Sequence, residues 1–214
     1  MSRSADYTIK GFLYQFNKTL LEILTSQDDA IITVEGIVED VEIVTPALMT
    51  AIQCKYHEAS DTFAPSAIFK PLLQMMDHFH ANRTAQIRYV LFAHYPSVNG
   101  VPQPTVGRAD LEAALDSVNK DLQGYITTLR GKVDLDQFLT RFVMEFGPTY
   151  DDLVAQVSTA LKDNGLPLGD IETLAYPNAI NMIAGISTKH DPTQRKTNKR
   201  DFIESLKTIR KTAI

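Results

Sequence analysis

Three side chains in one short stretch have the types and spacing to do chemistry on a phosphate. They are Asp40 and, after twelve intervening residues, Gln53 and Lys55. Gln53 and Lys55 lie two apart in an apolar run. A period of two puts both on one face of a strand, with Ile52, Cys54 and Tyr56 on the other. A lysine on so apolar a strand needs a partner or a use, because burying its charge alone is costly or shifts its pKa. An acid followed about a dozen residues later by Asp, Glu or Gln, a spacer and Lys on a neighbouring strand has a specific use. The carboxylate and the middle side chain offer Mg²⁺ hard oxygen ligands. The lysine positions or deprotonates an attacking water and offsets phosphate charge. A structural ion pair between Asp40 and Lys55 across two strands would use the same residues.

The elements that must position these groups follow from periodicity. Ile31–Val34, Val41–Val44 and Met49–Tyr56 are rich in Val, Ile and Thr and are separated by Gly36 and Pro46, which predicts an antiparallel meander. Asp40 stands at the mouth of its second strand. Ahead of it, Ala5–Thr25 reads as an amphipathic helix, with Phe12, Phe16, Leu20 and Ile23 as its apolar stripe and Leu13 and Leu24 beside it. Tyr14 reads as packing. Beyond the meander, a loop over Asp61–Ser66 leads through an N-cap at Ser66 into a helix over Ala67–Ala81, with Pro71 near its first turn. Ala85–His94 reads as an interior strand, because Tyr89–Ala93 is continuously apolar. Pro96–Gly107 is a loop.

The second half of the chain reads as mainly helical. Arg108–Leu129 carries Leu111, Leu115, Val118 and Leu122 in register, and Asp134–Leu139 begins a further short helix. Arg141–Phe146 alternates like a strand and is stopped by Gly147-Pro148. Tyr150–Lys162 is a helix ended by Asn164-Gly165, Ile171–Ser187 another with Pro177 at its start. Lys199–Ile214 is an amphipathic helix around Phe202, Ile203, Leu206 and Ile209. No fixed-period repeat and no low-complexity tract is present.

The Asp40…Gln53-Cys54-Lys55 layout resembles the PD-(D/E)xK nucleases, in a Q-x-K form. Gly11-Phe12-Leu13-Tyr14-Gln15, Glu39-Asp40-Val41-Glu42-Ile43, Ile52-Gln53-Cys54-Lys55-Tyr56-His57 and Ile68-x-x-Pro71 extend the likeness from about Asp6 to Tyr95. Together they resemble the N-terminal nuclease domain of bacterial anti-phage effectors, found fused to SAVED sensors in CBASS double-stranded DNA endonucleases and in related proteins with NTPase sensor modules. The resemblance implies an α/β fold with a restriction-endonuclease-like αβββαβ core over residues 1–100. It further implies a mainly helical extension over 101–198 and a basic amphipathic helix, 199–214, connecting to a sensor domain absent from this stretch. It implies an Mg²⁺-dependent endodeoxyribonuclease (Mn²⁺ substituting) acting on double-stranded DNA, and a homo-oligomer when active.

In that reading Asp40, the Gln53 side chain and the Cys54 main-chain carbonyl hold the metal, and Lys55 orients the water. Asp40 and Glu42 share a face by alternation; the resemblance favours Asp40, which opens the strand after Glu39. Glu39 and Glu42 then read as a charged rim on a solvent-facing strand. Gln15, on the first helix, either touches the metal's water shell or is a helix-surface glutamine. Glu35 is either an auxiliary ligand or a surface residue, and Glu42 is a further auxiliary candidate. Gln53 departs from the commoner Glu or Asp; a neutral amide oxygen binds Mg²⁺ more weakly, so affinity should fall or lean on Glu35 or Glu42. The same substitution leaves room for a non-catalytic, nuclease-like binding or oligomerisation module.

Composition sets outer bounds. With 214 residues the chain can bury one sizeable α/β core. No run approaches the length of a membrane span, and the N-terminus lacks the apolar stretch of a secretory signal. One cysteine excludes an internal disulfide and makes a cytoplasmic location the simple expectation. Net charge is −5, which does not advertise nucleic-acid binding, although Lys189–Lys211 is locally basic. His78 and His80 fall on different helix faces, and with His57 and His94 distant in sequence no zinc cluster is spelled out. No phosphate-binding glycine loop or nucleophile-elbow motif occurs. A Cys54–His57 thiol pair is disfavoured, because Cys54 points away from Gln53 and Lys55 towards the core.

Overall fold

Helix α1 spans Ala5–Thr25, and its middle turns are enclosed on almost every side: Tyr14, Leu20, Ile23 and Leu24 are buried together with the polar Gln15, Asn17, Lys18 and Thr19. The outer turns project from the fold, so Phe12, expected in the buried stripe, is 53% exposed beside Ile9 at 57%. The computed structural model describes residues 5–36, 39–57, 63–98 and 103–213. Asp61 and Thr62 of the expected Asp61–Ser66 loop, residues 99–102 of the Pro96–Gly107 loop, and Ile214 lie outside the described residues.

The meander forms with the expected bounds: β1 (Ile31–Val34), β2 (Val41–Val44) and β3 (Met49–Tyr56). β1 and β2 are antiparallel with Val34 opposite Val41, and β2 and β3 are antiparallel with Val41 opposite Ile52. Pro46 follows Thr45 in the β2–β3 turn, where proline's fixed φ suits the first central position; the turn closes through Thr45 N–H donating to Leu48 O at 3.0 Å. Helix α2 (Phe69–Ala81) returns the chain so that β4 (Ile87–His94) runs parallel to β3. Helices α3 (Arg108–Leu115), α4 (Gln123–Leu129) and α5 (Leu135–Leu139) make the next crossover, and β5 (Phe142–Phe146) runs parallel to β4. After α6 (Tyr150–Asp163), α7 (Leu168–Asp170) and α8 (Tyr176–Ser187), the two-residue β6 (Lys196–Thr197) pairs antiparallel with β1, and α9 (Lys199–Ala213) closes the description. Among the described residues the result is a mixed six-stranded sheet, ordered β5-β4-β3-β2-β1-β6, flanked by helices.

Among the described residues, alternation along the strands feeds two large cores and a small third cluster of Ala93, Tyr95 and Val98. Ile52, Cys54, Val90 and Phe92 face Tyr14, Leu20, Leu153, Val157, Ile183 and Phe202 of α1, α6, α8 and α9. Ala51, Tyr89, Leu91 and Phe142 face Leu72, Met76, Leu111, Ile126 and Phe138 of α2 to α5. Phe202, Ile203 and Leu206 place α9 within the first core.

Several local expectations are corrected. Ser66 is not the helix N-cap: it lies inside a 3₁₀ turn over Pro65–Ile68, whose own N-cap is Ala64, and α2 follows with Ile68 as its N-cap. Val118 is 93% exposed because the helix expected over Arg108–Leu129 breaks after Leu115 and restarts at a 3₁₀ turn capped by Asn119. Pro177, by contrast, stands in the first turn of α8 as expected. The helical segment begins at Leu168, and a π-turn over Ile171–Ala175 directly precedes Tyr176 and Pro177. Proline lacks the N–H for an i→i−4 bond, and a widened turn is a common way to absorb that loss. Nothing in the local sequence pattern marks the two-residue β6.

Candidate active site

The register of the meander does most of the positioning. Because Val41 stands opposite Ile52, Asp40 lies one step beyond the last β2 pair, beside Gln53 and Cys54. Its Oδ2 accepts the Cys54 N–H at 2.8 Å, so a side chain replaces the missing strand partner. In an extended strand the N–H and C=O of one residue leave on the same side. The Cys54 carbonyl therefore points towards Asp40. Its thiol faces the first core, where burial pushes its pKa well up, which is the state of an inert cysteine.

Glu35 follows β1 and closes on the same point. Its N–H donates to the Asp40 carbonyl at 2.8 Å, and its own carbonyl accepts from Arg195 Nη1 at 3.0 Å. Its φ of 50° is in the left-handed region, disfavoured for a residue with a Cβ. These two bonds hold it there, at a cost of about 1 kcal/mol or more. The side chain is thereby aimed at α1, where Gln15 Nε2 donates to Glu35 Oε1 at 2.5 Å. Of the two readings open for Gln15, the surface one is set aside: the residue is 8% exposed.

Gln53 and Lys55 share the sheet face of Ala51, as alternation requires. Gln53 is 9% exposed, and its Oε1 is buried without a hydrogen-bond partner among the described residues. Leaving such an oxygen unsatisfied costs about 1–3 kcal/mol. Lys55 is half-buried, and no Asp40–Lys55 ion pair occurs among the described residues. The purely structural account of that lysine loses its main support.

Glu39 and Glu42 are not a solvent rim. They are 8% and 7% exposed, because Glu39 lies in the turn ahead of β2 and Glu42 stands between Thr33 and Ala51 on a half-covered face. Burial, with Asp40 close by, pushes the Glu39 carboxyl up to about 8 against the pull of Lys55. Glu35 is raised mainly by burial and then by Asp40, while the Gln15 bond and Arg195 lower it. Asp40 is raised by burial, opposed by the Cys54 N–H and Lys55. Three carboxyls at one strand end are thus held short of full charge compensation.

Such a place suits a cation. The oxygens at hand are the Asp40 carboxylate, the Cys54 carbonyl and the orphaned Gln53 Oε1, and hard divalent ions take such a set. No grouping of three His, Cys, Asp or Glu able to hold a metal occurs among the described residues. A set with one carboxylate and two neutral oxygens implies weak affinity. Nothing in the local sequence pattern marks Arg195, or the Tyr95 ring stacked on His57 at 4.5 Å just beyond Lys55. Among the described residues no helix is long and apolar enough to cross a membrane. No protein-family model, curated protein or solved structure matches this chain.

Proposed function

We propose that the protein is a divalent-metal-dependent DNA endonuclease with a restriction-endonuclease-like αβββαβ core, acting as the effector of an anti-phage defence protein. The observation that carries this reading is the buried, unpartnered Gln53 Oε1, on the same strand face as Lys55 and beside an Asp40 fixed by the Cys54 N–H. The element order α1-β1-β2-β3-α2-β4, with an antiparallel meander followed by a parallel strand, supports the core. Asp40, Gln53 and the Cys54 carbonyl would hold Mg²⁺ or Mn²⁺, which when bound supplies Lewis-acid activation of a water and of the scissile phosphate. Lys55 would orient that water and offset charge developing on the phosphate oxygens. Glu35, steadied by Gln15 and Arg195, would bind the outer waters of the site. Clustering through a fused sensor would bring two such sites to the two strands of a duplex.

A second reading, a nuclease-like fold used only for binding or oligomerisation, is favoured by the neutral Gln53 and the absence of a three-group metal cluster among the described residues. Plasmid degradation with Mg²⁺ or Mn²⁺ at high protein concentration separates the two. The endonuclease loses cutting in both Lys55→Ala and Asp40→Ala while melting stays close to wild type. A metal-saturated, oligomeric wild type that leaves plasmid intact would establish the scaffold instead.

A further inference from the structure

The open half of the sheet extends the candidate site into a track. Residues directly opposite in a sheet point to one face. Lys196 is opposite Thr33, Thr33 opposite Glu42, and Glu42 opposite Ala51, so this row shares the face of Gln53 and Lys55. Helices α2 to α5 cover that face over β3 to β5. Over β6, β1 and β2 it forms a groove of about 330 Å³ floored by Ile31, Thr33, Val44 and Met49, with Lys196 lining its edge. Glu42 also lines the groove, but it is buried and its carboxyl end lies against Gly36, at the site end.

Charge in this region runs against that of the whole chain. The protein carries −5, yet Lys189–Arg200 holds Lys189, Arg195, Lys196, Lys199 and Arg200 against the single acid Asp191 within the segment, with Lys199 paired to Asp28 at 3.8 Å. Asp191 is turned onto the Thr193 N–H at 2.9 Å. Pairing of β6 with β1 brings this segment to the sheet, and Arg195 ties it to the site by bonding both the Lys189 and the Glu35 carbonyls. Lys196 is exposed and makes no ion pair among the described residues. From the Ile31 end of β1 to Glu35 the strand advances about 13 Å, the rise of about four nucleotides of one DNA strand.

We propose that this open β6–β1–β2 face seats the sugar–phosphate backbone of the duplex cut at the Asp40–Lys55 site, with Lys196 paired to a phosphate a few nucleotides from the scissile one. The inference rests on the nuclease reading. Its test is binding of a short DNA duplex, followed by fluorescence anisotropy against salt concentration, with the full chain carrying Lys55→Ala to prevent cutting. Adding Lys196→Gln is expected to raise Kd about five- to tenfold at ~0.1 M salt and to lower the slope of log K against log salt by about 0.9. Lys162→Gln, on the last turn of α6, serves as the equal-charge control and leaves both unchanged. With Lys55 intact, Lys196→Gln raises KM for cleavage and leaves kcat unaltered. If the wild type cuts DNA but Lys196→Gln and Lys162→Gln bind alike, the track is wrong and the nuclease stands. If the wild type neither binds nor cuts DNA with metal present, the nuclease reading falls and the track falls with it.

Discussion

Replacing Gln53 by Met removes the carboxamide that carries the orphaned oxygen. Gln53 Oε1 is buried and unpartnered among the described residues, a state that costs about 1–3 kcal/mol in the metal-free protein. Methionine has the same unbranched length, no acceptor oxygen and enough torsional freedom to fill the site between Ala51 and Leu91. Gln53→Met should therefore stabilise the metal-free fold by about 1 kcal/mol, a rise in Tm of about 2–4 °C for a chain of this size. The effect of metal should move the opposite way. For the wild type, a divalent ion at about ten times its Kd adds about 1.4 kcal/mol, and Gln53→Met should lose most of that increment. Thermal unfolding by circular dichroism, in EDTA and across a Mg²⁺ or Mn²⁺ series, reads both quantities. A lower Tm for Gln53→Met in EDTA would mean that the oxygen is satisfied in the native state. An undiminished metal-dependent rise would mean that Gln53 is not a ligand. Either result refutes the argument from the orphaned oxygen.

Two further predictions concern the supports of the site. A Cβ on Gly147 would stand 2.1 Å from Tyr14 Oη and 2.5 Å from Phe92 Cζ, both of them packed core side chains; Gly147→Ala should cost about 1–3 kcal/mol by overpacking, and an unchanged denaturant midpoint would show that Tyr14 moves freely. The Glu39 carboxyl, raised to about 8 in the fold, has its protonated form favoured by folding. Its stabilising contribution is complete below the unfolded value of about 4.3 and is lost as pH rises through about 8. Metal-free protein should lose on the order of a few kcal/mol between about pH 5 and pH 8. Glu39→Gln, which cannot titrate, should flatten that loss in urea unfolding at the two pH values, and an equal slope in both proteins would show that Glu39 is solvated.

The meander was legible to the residue because its signals are local. Val and Ile at alternating positions, with Gly36 and Pro46 between them, fix strand type, strand bounds and which side chains share a face. Local rules failed where exposure depends on what lies across the fold. Val118 has helical spacing but falls in a break between helices, and Phe12 belongs to an apolar stripe whose outer end nothing covers among the described residues. Glu39 and Glu42 look solvated by residue type, yet one sits in a turn folded under Asp40 and the other in the middle of a row of paired strands.

The sequence by itself determined the elements, their alternation and therefore that Gln53 and Lys55 share a face away from Cys54. It also supplied the chemical types: one carboxylate, one amide oxygen, one lysine. Only the tertiary structure decided that Asp40 bonds the Cys54 N–H rather than pairing with Lys55, and that Gln15 meets Glu35. It alone decided that Gln53 Oε1 is buried without a partner, and that Arg195 and Lys196 arrive beside the site from the far end of the chain. These are contacts between segments up to 160 residues apart, set by strand register and helix packing. Short-range periodicity carries no information about either.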